Sequence, residues 1–343
     1  MRPSFNPRLV NEPFDDPGLF VPFLFEKRAF LFDAGDIHAL SSRDILKISH
    51  VFITHTHMDH FIGFDRLLRL MLGRDKDLYL YGPEGIIENV EGKLSAYSWN
   101  LVSHYEHSLV LHVNEVRPDV MTTRRFYCKN RFLPDSDTKV RAFDGTLFKE
   151  PSLNVCSAIF DHYIPCLGFC LKERFHVNII KEKLETAGLL PGPWLSEFKN
   201  ALYEKKDPDS LFTVSLNENK FKKGFVLKDL ADQIAIITPG QKITYISDAG
   251  FTPQNIEKMI ELARDSDYLF IEAAFLEQDR ELALEKRHLT AHQAGSIAAA
   301  AKVKRYSLFH YSPRYDKTEH LINEEARRAF ENVNMKGVDI LSV

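Results

Sequence analysis

Apolar residues along this chain gather into short runs, and several of them end in a polar residue followed by a turn. The runs are LFVPFLF (19–25), AFLFDAG (29–35), HVFITH (50–55), LYLYGP (78–83), LNVCSAIFDH (153–162), ITYISDAG (243–250), YLFIEAAF (268–275) and RYSLFHYSP (305–313). Rich in β-branched and aromatic residues, they predict buried strands. Between them the apolar spacing turns helical. FDRLLRLML (64–72) is one such segment, TPQNIEKMIELARDS (252–266) carries Pro near its start, and TAHQAGSIAAAAKV (290–303) is alanine-rich with Thr290 as its N-cap. Residues 100–150 alternate and hold turn formers in LPDSD and FDGT, which predicts β hairpins. The mixture predicts an α/β (α+β) protein built as an αββα sandwich rather than a strictly alternating βαβ fold. Roughly residues 174–235 differ: Lys and Glu are frequent, strand signals are few, and LLPGPW (189–194) interrupts the segment. We expect one domain over 1–343 with an insertion there that projects from the core.

Composition narrows the setting. With 343 residues, a formal net charge of −4, 44% hydrophobic and 27% charged residues, the chain has the profile of a globular protein with a large core. No apolar run approaches the ~20 residues a membrane span needs, and the N-terminus lacks the apolar stretch of a signal peptide. Cys128, Cys156, Cys166 and Cys170 form no CxxC pair. A cytoplasmic protein without membrane partners is the expectation. The mild acidity weighs against a broad basic face for nucleic acid.

The candidate chemistry lies at strand ends. FITHTHMDHF (52–61) brings His55, His57, Asp59 and His60 together directly after an apolar run. Imidazole and carboxylate suit zinc, and also manganese or iron, and this many donors serve two adjacent cations rather than one. The plainer alternative is a polar surface loop. Further donors close other runs: His162 ends SAIFDH, Asp248 ends ITYISD and His310 ends RYSLFH. Singly, these could be a hydrogen-bonded core histidine, a helix cap and a strand-end histidine. A buried carboxylate, though, is costly unless paired or coordinating, and its two oxygens can bridge two ions.

These stretches resemble a known family. HTHMDH resembles the HxHxDH signature of the metallo-β-lactamase superfamily. DHYIPCLGF (161–169), YISDAG (245–250), FIEAAF (270–275) and RHLTAHQAGSIAAAAKVKRYSLFHYSPRY (287–315) are similar to segments of the ribonuclease Z family, the tRNA 3′-processing endonucleases. ETAGLLPGPWLSEFKNAL (185–202) resembles the tip of that family's flexible arm, the exosite that grips tRNA. The resemblance implies the metallo-β-lactamase sandwich and two zinc ions, with manganese as a substitute. One ion would be held by His55, His57 and His162, the other by Asp59, His60 and His310, and Asp248 would bridge. It also implies a catalytic pair, with Glu272 orienting His288 as the acid for the leaving oxygen, while Asp59 accepts the proton of the attacking water. The partners implied are precursor tRNA and a second copy of the chain. Gly192, Pro193, Trp194 and Lys199 are the expected RNA contacts, with Lys205, Lys206, Lys220, Lys222 and Lys223 as further phosphate-neutralising lysines. Acidic residues, among them Glu197, Glu204 and Glu218, lie between them, so a solvated surface hairpin is the competing view of the arm. The N-terminus MRPSFNPRLVNEPFDDPGLFVPF and FDAGDIHAL (32–40) depart from the family pattern. That departure keeps open a dinuclear hydrolase of the same fold acting on a small phosphodiester.

Overall fold

The computed structural model describes residues 4–135, 137–216 and 221–336. Two compact units make up the chain. The larger comprises Phe5–Leu147, Cys156–Cys170 and Lys242–Val343, the smaller Met1–Ser4, Phe148–Val155 and Leu171–Gln241.

The expected strands form two main sheets. One has eight strands in chain order: Arg8–Leu9, Leu19–Pro22, Ala29–Phe32, Ile48–Phe52, Lys76–Pro83, Leu109–Val116, Val120–Tyr127 and Lys139–Ala142. Its middle four are parallel and its outer pairs antiparallel. The other has six, in the order Tyr306–Phe309, Tyr268–Glu272, Lys242–Ile246, Ile164–Glu173, Leu153–His162 and Thr146–Lys149. Its first three run parallel.

The central strands are apolar on both faces because both are covered. On the eight-stranded sheet, Leu31, Val51, Ile53, Leu78 and Leu80 pack with Phe64, Leu67, Leu68, Ile87 and Val90 of the helices Phe64–Met71 and Ile86–Ser95. On the six-stranded sheet, Ile246, Leu269, Ile271 and Leu308 pack with Met259, Ala294 and Ile297 of the helices Pro253–Ala263 and Ala291–Ala300. Thr252 and Thr290 cap these two helices, Thr290 through a full capping box with Gln293. Between the sheets lie aromatic rings: Phe169 is 5.7 Å from Phe32 and 5.6 Å from Phe52, and Tyr245 is 6.0 Å from Phe32. The larger unit is thus the αββα sandwich expected.

The turn after Ala29–Phe32 is locked to the histidine-rich loop. Ala34 N–H donates to His60 C=O (2.9 Å) and Gly63 N–H to Ala34 C=O (2.8 Å). The backbones touch: a Cβ on Gly35 would lie 2.3 Å from Asp59 O, and one on Gly63 2.2 Å from Gly35 O. Only glycine permits that approach.

The smaller unit contains more strand than its composition suggested. Phe175–Ile179 pairs with Ala235–Pro239, and Leu211–Leu216 with Phe221–Val226. Helices Lys181–Thr186, Trp194–Tyr203 and Leu227–Ile234 complete it. Its own core includes Leu184, Trp194, Phe198, Val214, Leu227 and Leu230. The apolar positions of FHVNI and LFTVSL carried the strand signal, but the surrounding Lys and Glu diluted it.

One buried polar residue ties this packing to pH. His50 stacks on Tyr79 (4.9 Å), meets Phe30 at 4.8 Å, and is 5% exposed. Burial, helped by the charges of Arg28 and His112, pushes its pKa down to about 3. The folded state holds the ring neutral while the unfolded chain protonates it near pH 6.5, so this contribution is complete above that pH. It is lost as pH falls toward about 3, amounting to about 2 kcal/mol by pH 5. His50→Phe keeps a ring there, so its urea midpoint should match the parent at pH 8 and exceed it increasingly as pH is lowered to 5. Parallel decline of the two proteins would refute this assignment.

Candidate metal centre

Strand topology assembles the site. The parallel strands Lys242–Ile246, Tyr268–Glu272 and Tyr306–Phe309 end at one edge, and they deliver Asp248, Glu272 and His310 there. Leu153–His162 brings His162 as its last residue. After Ile48–Phe52, His55 follows and His57 becomes the N-cap of the short helix Met58–Phe61, which carries Asp59 and His60.

All seven sequence-expected metal ligands come together. Donor atoms of His55, His57, His162 and Asp248 lie within 4.8 Å of one another, as do those of Asp59, His60 and His310. Asp248 stands between the two groups with one oxygen toward each. Its Oδ2 is 3.8 Å from His55 Nε2 and 3.6 Å from His162 Nε2, and its Oδ1 is 3.5 Å from His60 Nε2 and 3.4 Å from His310 Nδ1. Burial alone would keep Asp248 protonated, but His310 and His60 hold its carboxyl well below the usual range. Burial likewise opposes the charge on Asp59, and the His310 ring hydrogen-bonded to it, with the His60 ring close by, outweighs burial and depresses its pKa.

The donor set suits cations. His60 Nε2 and His310 Nδ1 are buried and lack a hydrogen-bond partner, an expensive condition that a metal ion in contact would relieve. The opposite ring nitrogens are braced. His60 Nδ1 lies 2.9 Å from Asp33 Oδ2, His162 Nδ1 is 2.8 Å from Arg287 O, and His55 Nδ1 is 3.1 Å from Thr54 Oγ1. Such outer partners fix the tautomer and raise ligand basicity.

The second pair also assembles. His288 Nδ1 is 3.0 Å from Glu272 Oε2, and the other Glu272 oxygen accepts from Ala249 N–H (2.9 Å). Burial disfavours the imidazolium, but the Glu272 carboxylate, helped by Asp248, raises the pKa of His288 to about 9. These carboxylates favour the protonated ring. Next to it lies a cleft of about 270 Å³ lined by Asp59, His288 and His310, and also by Phe14, Asp15, Asp16 and Tyr311. The divergent N-terminal segment thus contributes acidic groups to the site.

Sequence reasoning passed over Asp33. It is fully buried, accepts from Thr54 N–H (2.7 Å), Thr54 Oγ1 and Tyr245 OH (3.0 Å), and faces His60. Its signal was present, since Asp33 closes the run AFLF as Asp248 closes ITYIS. Tyr245, in mid-strand, had no comparable signal.

The expected RNA contacts fare unevenly. Pro193 is exposed and Gly192 and Lys199 are partly so, whereas Trp194 is 3% exposed and donates its indole N–H to Leu190 O (2.9 Å). Trp194 is a core residue of the smaller unit, and its ring is not open to RNA. Glu218 and Lys220 lie outside the described residues. Burial lowers the pKa of Lys199, with Glu173 acting in the opposite direction.

Asp33→Asn preserves shape but removes the charge that orients His60. We expect bound metal to be held about 10- to 100-fold more weakly, measured by competition with a chromophoric chelator. Parent-like affinity would remove Asp33 from the centre.

Comparison with known proteins gives the family. No family model matches the chain. Ribonuclease BN of Cronobacter sakazakii is 30% identical over 277 residues, spanning 80% of this chain and 74% of that protein. Ribonuclease Z of Deinococcus radiodurans is 27% identical over 292 residues, 84% of each chain, and that of Bacillus cereus 29% over 324 residues, 91% of this chain and 88% of the relative. Among solved structures, the fold is similar to human tRNase Z, short form (TM-score 0.50, 18% identity, 91% of this chain and 93% of that one). It is also similar to the metallo-β-lactamase fold protein YhfI of Bacillus subtilis (TM-score 0.52, 13% identity, 95% and 94%). Given the extent of these matches and the fold they share, the chain belongs to the ribonuclease Z family of metallo-β-lactamase-fold proteins.

Proposed function

We propose that this protein is a metal-dependent endoribonuclease that removes the 3′ trailer from precursor tRNA, leaving a 3′-hydroxyl on the tRNA and a 5′-phosphate on the trailer. One observation carries the reading: a buried carboxylate with histidines facing both its oxygens, beside an imidazole held by a carboxylate partner. Membership of the ribonuclease Z family supports the choice of RNA.

In this proposal His55, His57 and His162 hold one cation, Asp59, His60 and His310 the other, and Asp248 is shared. Zinc fits the histidine-rich set, and manganese is the substitute. Two such cations would supply charge neutralisation for a phosphodiester and a water of lowered pKa. The chain's own groups do the rest. Asp59 takes the proton of the attacking water. His288 gives its proton to the departing 3′ oxygen, and Glu272 keeps the ring turned so that Nδ1 faces inward and Nε2 is the donor. A positioned acid of this kind is worth roughly 10²–10⁴ in rate.

Residues 174–235 are proposed as the tRNA-gripping arm of a homodimer, with exposed Pro193 and partly exposed Lys199 among the contacts. Four cysteines without a CxxC pair suit a reducing cytoplasm, and no helix among the described residues is long and apolar enough to cross a membrane.

A second reading is favoured by Asp15 and Asp16 at the cleft. Acidic groups there repel flanking phosphates, as would suit a small phosphodiester.

The test is cleavage of a precursor tRNA bearing a 3′ trailer, mapped at nucleotide resolution. The expected result is one chelator-sensitive cut near the discriminator base. His288→Ala should lower kcat by about 10²–10⁴ with bound metal unchanged. Ile179 pairs with Ala235, so residues 180–234 can be replaced by a short Gly-Ser turn; cleavage of tRNA should then fall sharply. No cut on several precursors, with brisk hydrolysis of a small phosphodiester that the replacement leaves intact, would overturn the tRNA reading in favour of the second.

A further inference from the structure

Beside the metal ligands stands an aromatic residue that neither the ligand set nor the acid pair uses. Tyr163 follows His162 directly and sits at the hairpin between Leu153–His162 and Ile164–Glu173. Its φ is 59°, in the left-handed region that a bulky side chain rarely occupies. Glycine would adopt that turn without cost, so the ring is held there against a backbone penalty, and strain of this kind collects at functional sites.

The ring is also fixed in place. Its hydroxyl donates to Glu285 O (3.0 Å) and its amide to Asp161 Oδ1 (3.1 Å). The guanidinium of Arg287 lies over the ring, 4.7 Å from its centroid, and donates to Asp161 Oδ2 (3.0 Å). Arg287 is itself at φ 58° and braces His162 through its carbonyl. With its polar end tied and one face covered, Tyr163 is still 68% exposed. What remains open is a flat, rigid aromatic surface. By chain position it is one residue from the ligand His162, and Arg287 is one residue from His288.

We infer that Tyr163, backed by Arg287 and Asp161, is a stacking subsite for an unpaired nucleobase adjoining the scissile phosphate. The inference rests on the endoribonuclease reading for its substrate class. Three features fit a base. The pre-ordered ring loses little entropy on contact. A π surface accepts any of the four bases, which suits a strand bound without sequence readout. The guanidinium behind the ring puts positive charge near the phosphates on either side of the stacked nucleotide.

The test measures binding, so it does not depend on turnover. In a His288→Ala background, fluorescence anisotropy reads the Kd of a labelled single-stranded RNA spanning a trailer junction. Abasic residues are then placed one at a time along it. Tyr163→Gly should weaken binding of the intact strand by roughly 5- to 100-fold, while Tyr163→Phe, which keeps the ring, should bind as the parent does. Because glycine suits the turn, Tyr163→Gly should melt no lower than the parent and retain its metal, which a merely structural tyrosine would not allow. On the strand lacking the stacked base, the Tyr163→Gly and parent affinities should converge. Parent-like binding by Tyr163→Gly, or an equal loss on every abasic strand, would overturn the subsite, as would failure of the parent to bind any such strand. If the protein binds RNA through Tyr163 but never cuts a precursor tRNA, the function reading fails and the subsite stands.

Discussion

The buried charge of Asp248 is the constraint around which the larger unit is organised. An ionised carboxylate taken out of water costs several kcal/mol even after relaxation. Nothing local repays that, since Asp248 lies two residues past the end of its strand and is 2% exposed. Compensation comes from His310 and His60, with His288 adding to it, and these arrive from three separate stretches of chain. The parallel order of Lys242–Ile246, Tyr268–Glu272 and Tyr306–Phe309 brings one of them, and the aromatic packing between the sheets holds the rest within reach. The same crowding leaves His60 Nε2 and His310 Nδ1 without hydrogen-bond partners, a condition that bound cations would relieve.

Around this centre the backbone is under strain. Asp33, Tyr163, Arg287 and His310 all have φ between 54° and 61°, each costing on the order of 1–3 kcal/mol. Asp33 and the carbonyl of Arg287 brace His60 and His162 there, and His310 is itself a site residue. Large apolar clusters on both outer faces of the sandwich absorb the cost. The glycine contacts at 35 and 63 serve the same end, because they hold the turn carrying Asp33 and the loop carrying His60 at backbone-to-backbone distance. Placement to within about half an ångström is what catalysis by positioned groups demands.

The smaller unit is stabilised differently. It has its own apolar core and two strand pairs, and Trp194 belongs to that core.

Much of the site was legible in the chain. The donors are chemically distinctive, they end apolar runs, and strand ends are where a buried sheet meets a cleft, so the seven expected ligands could be named from residue type and position, whereas the pair Glu272 and His288 came from the family resemblance. The same pattern held for Asp33 and was passed over, because it stands apart from any cluster. The strands near 175, 211 and 235 were obscured by Lys and Glu, since period-two burial on one face says nothing about charge on the other. The sequence alone determined which elements form and which side chains can bind metal, because those depend on local spacing and side-chain chemistry. Only the tertiary structure decided which nitrogen of each imidazole faces the centre, which oxygen of Asp248 serves each half, and that Trp194 is core while Tyr163 is open. Those depend on contacts between residues far apart in the chain, such as Tyr245 with Asp33 across 212 positions, and no local pattern encodes them.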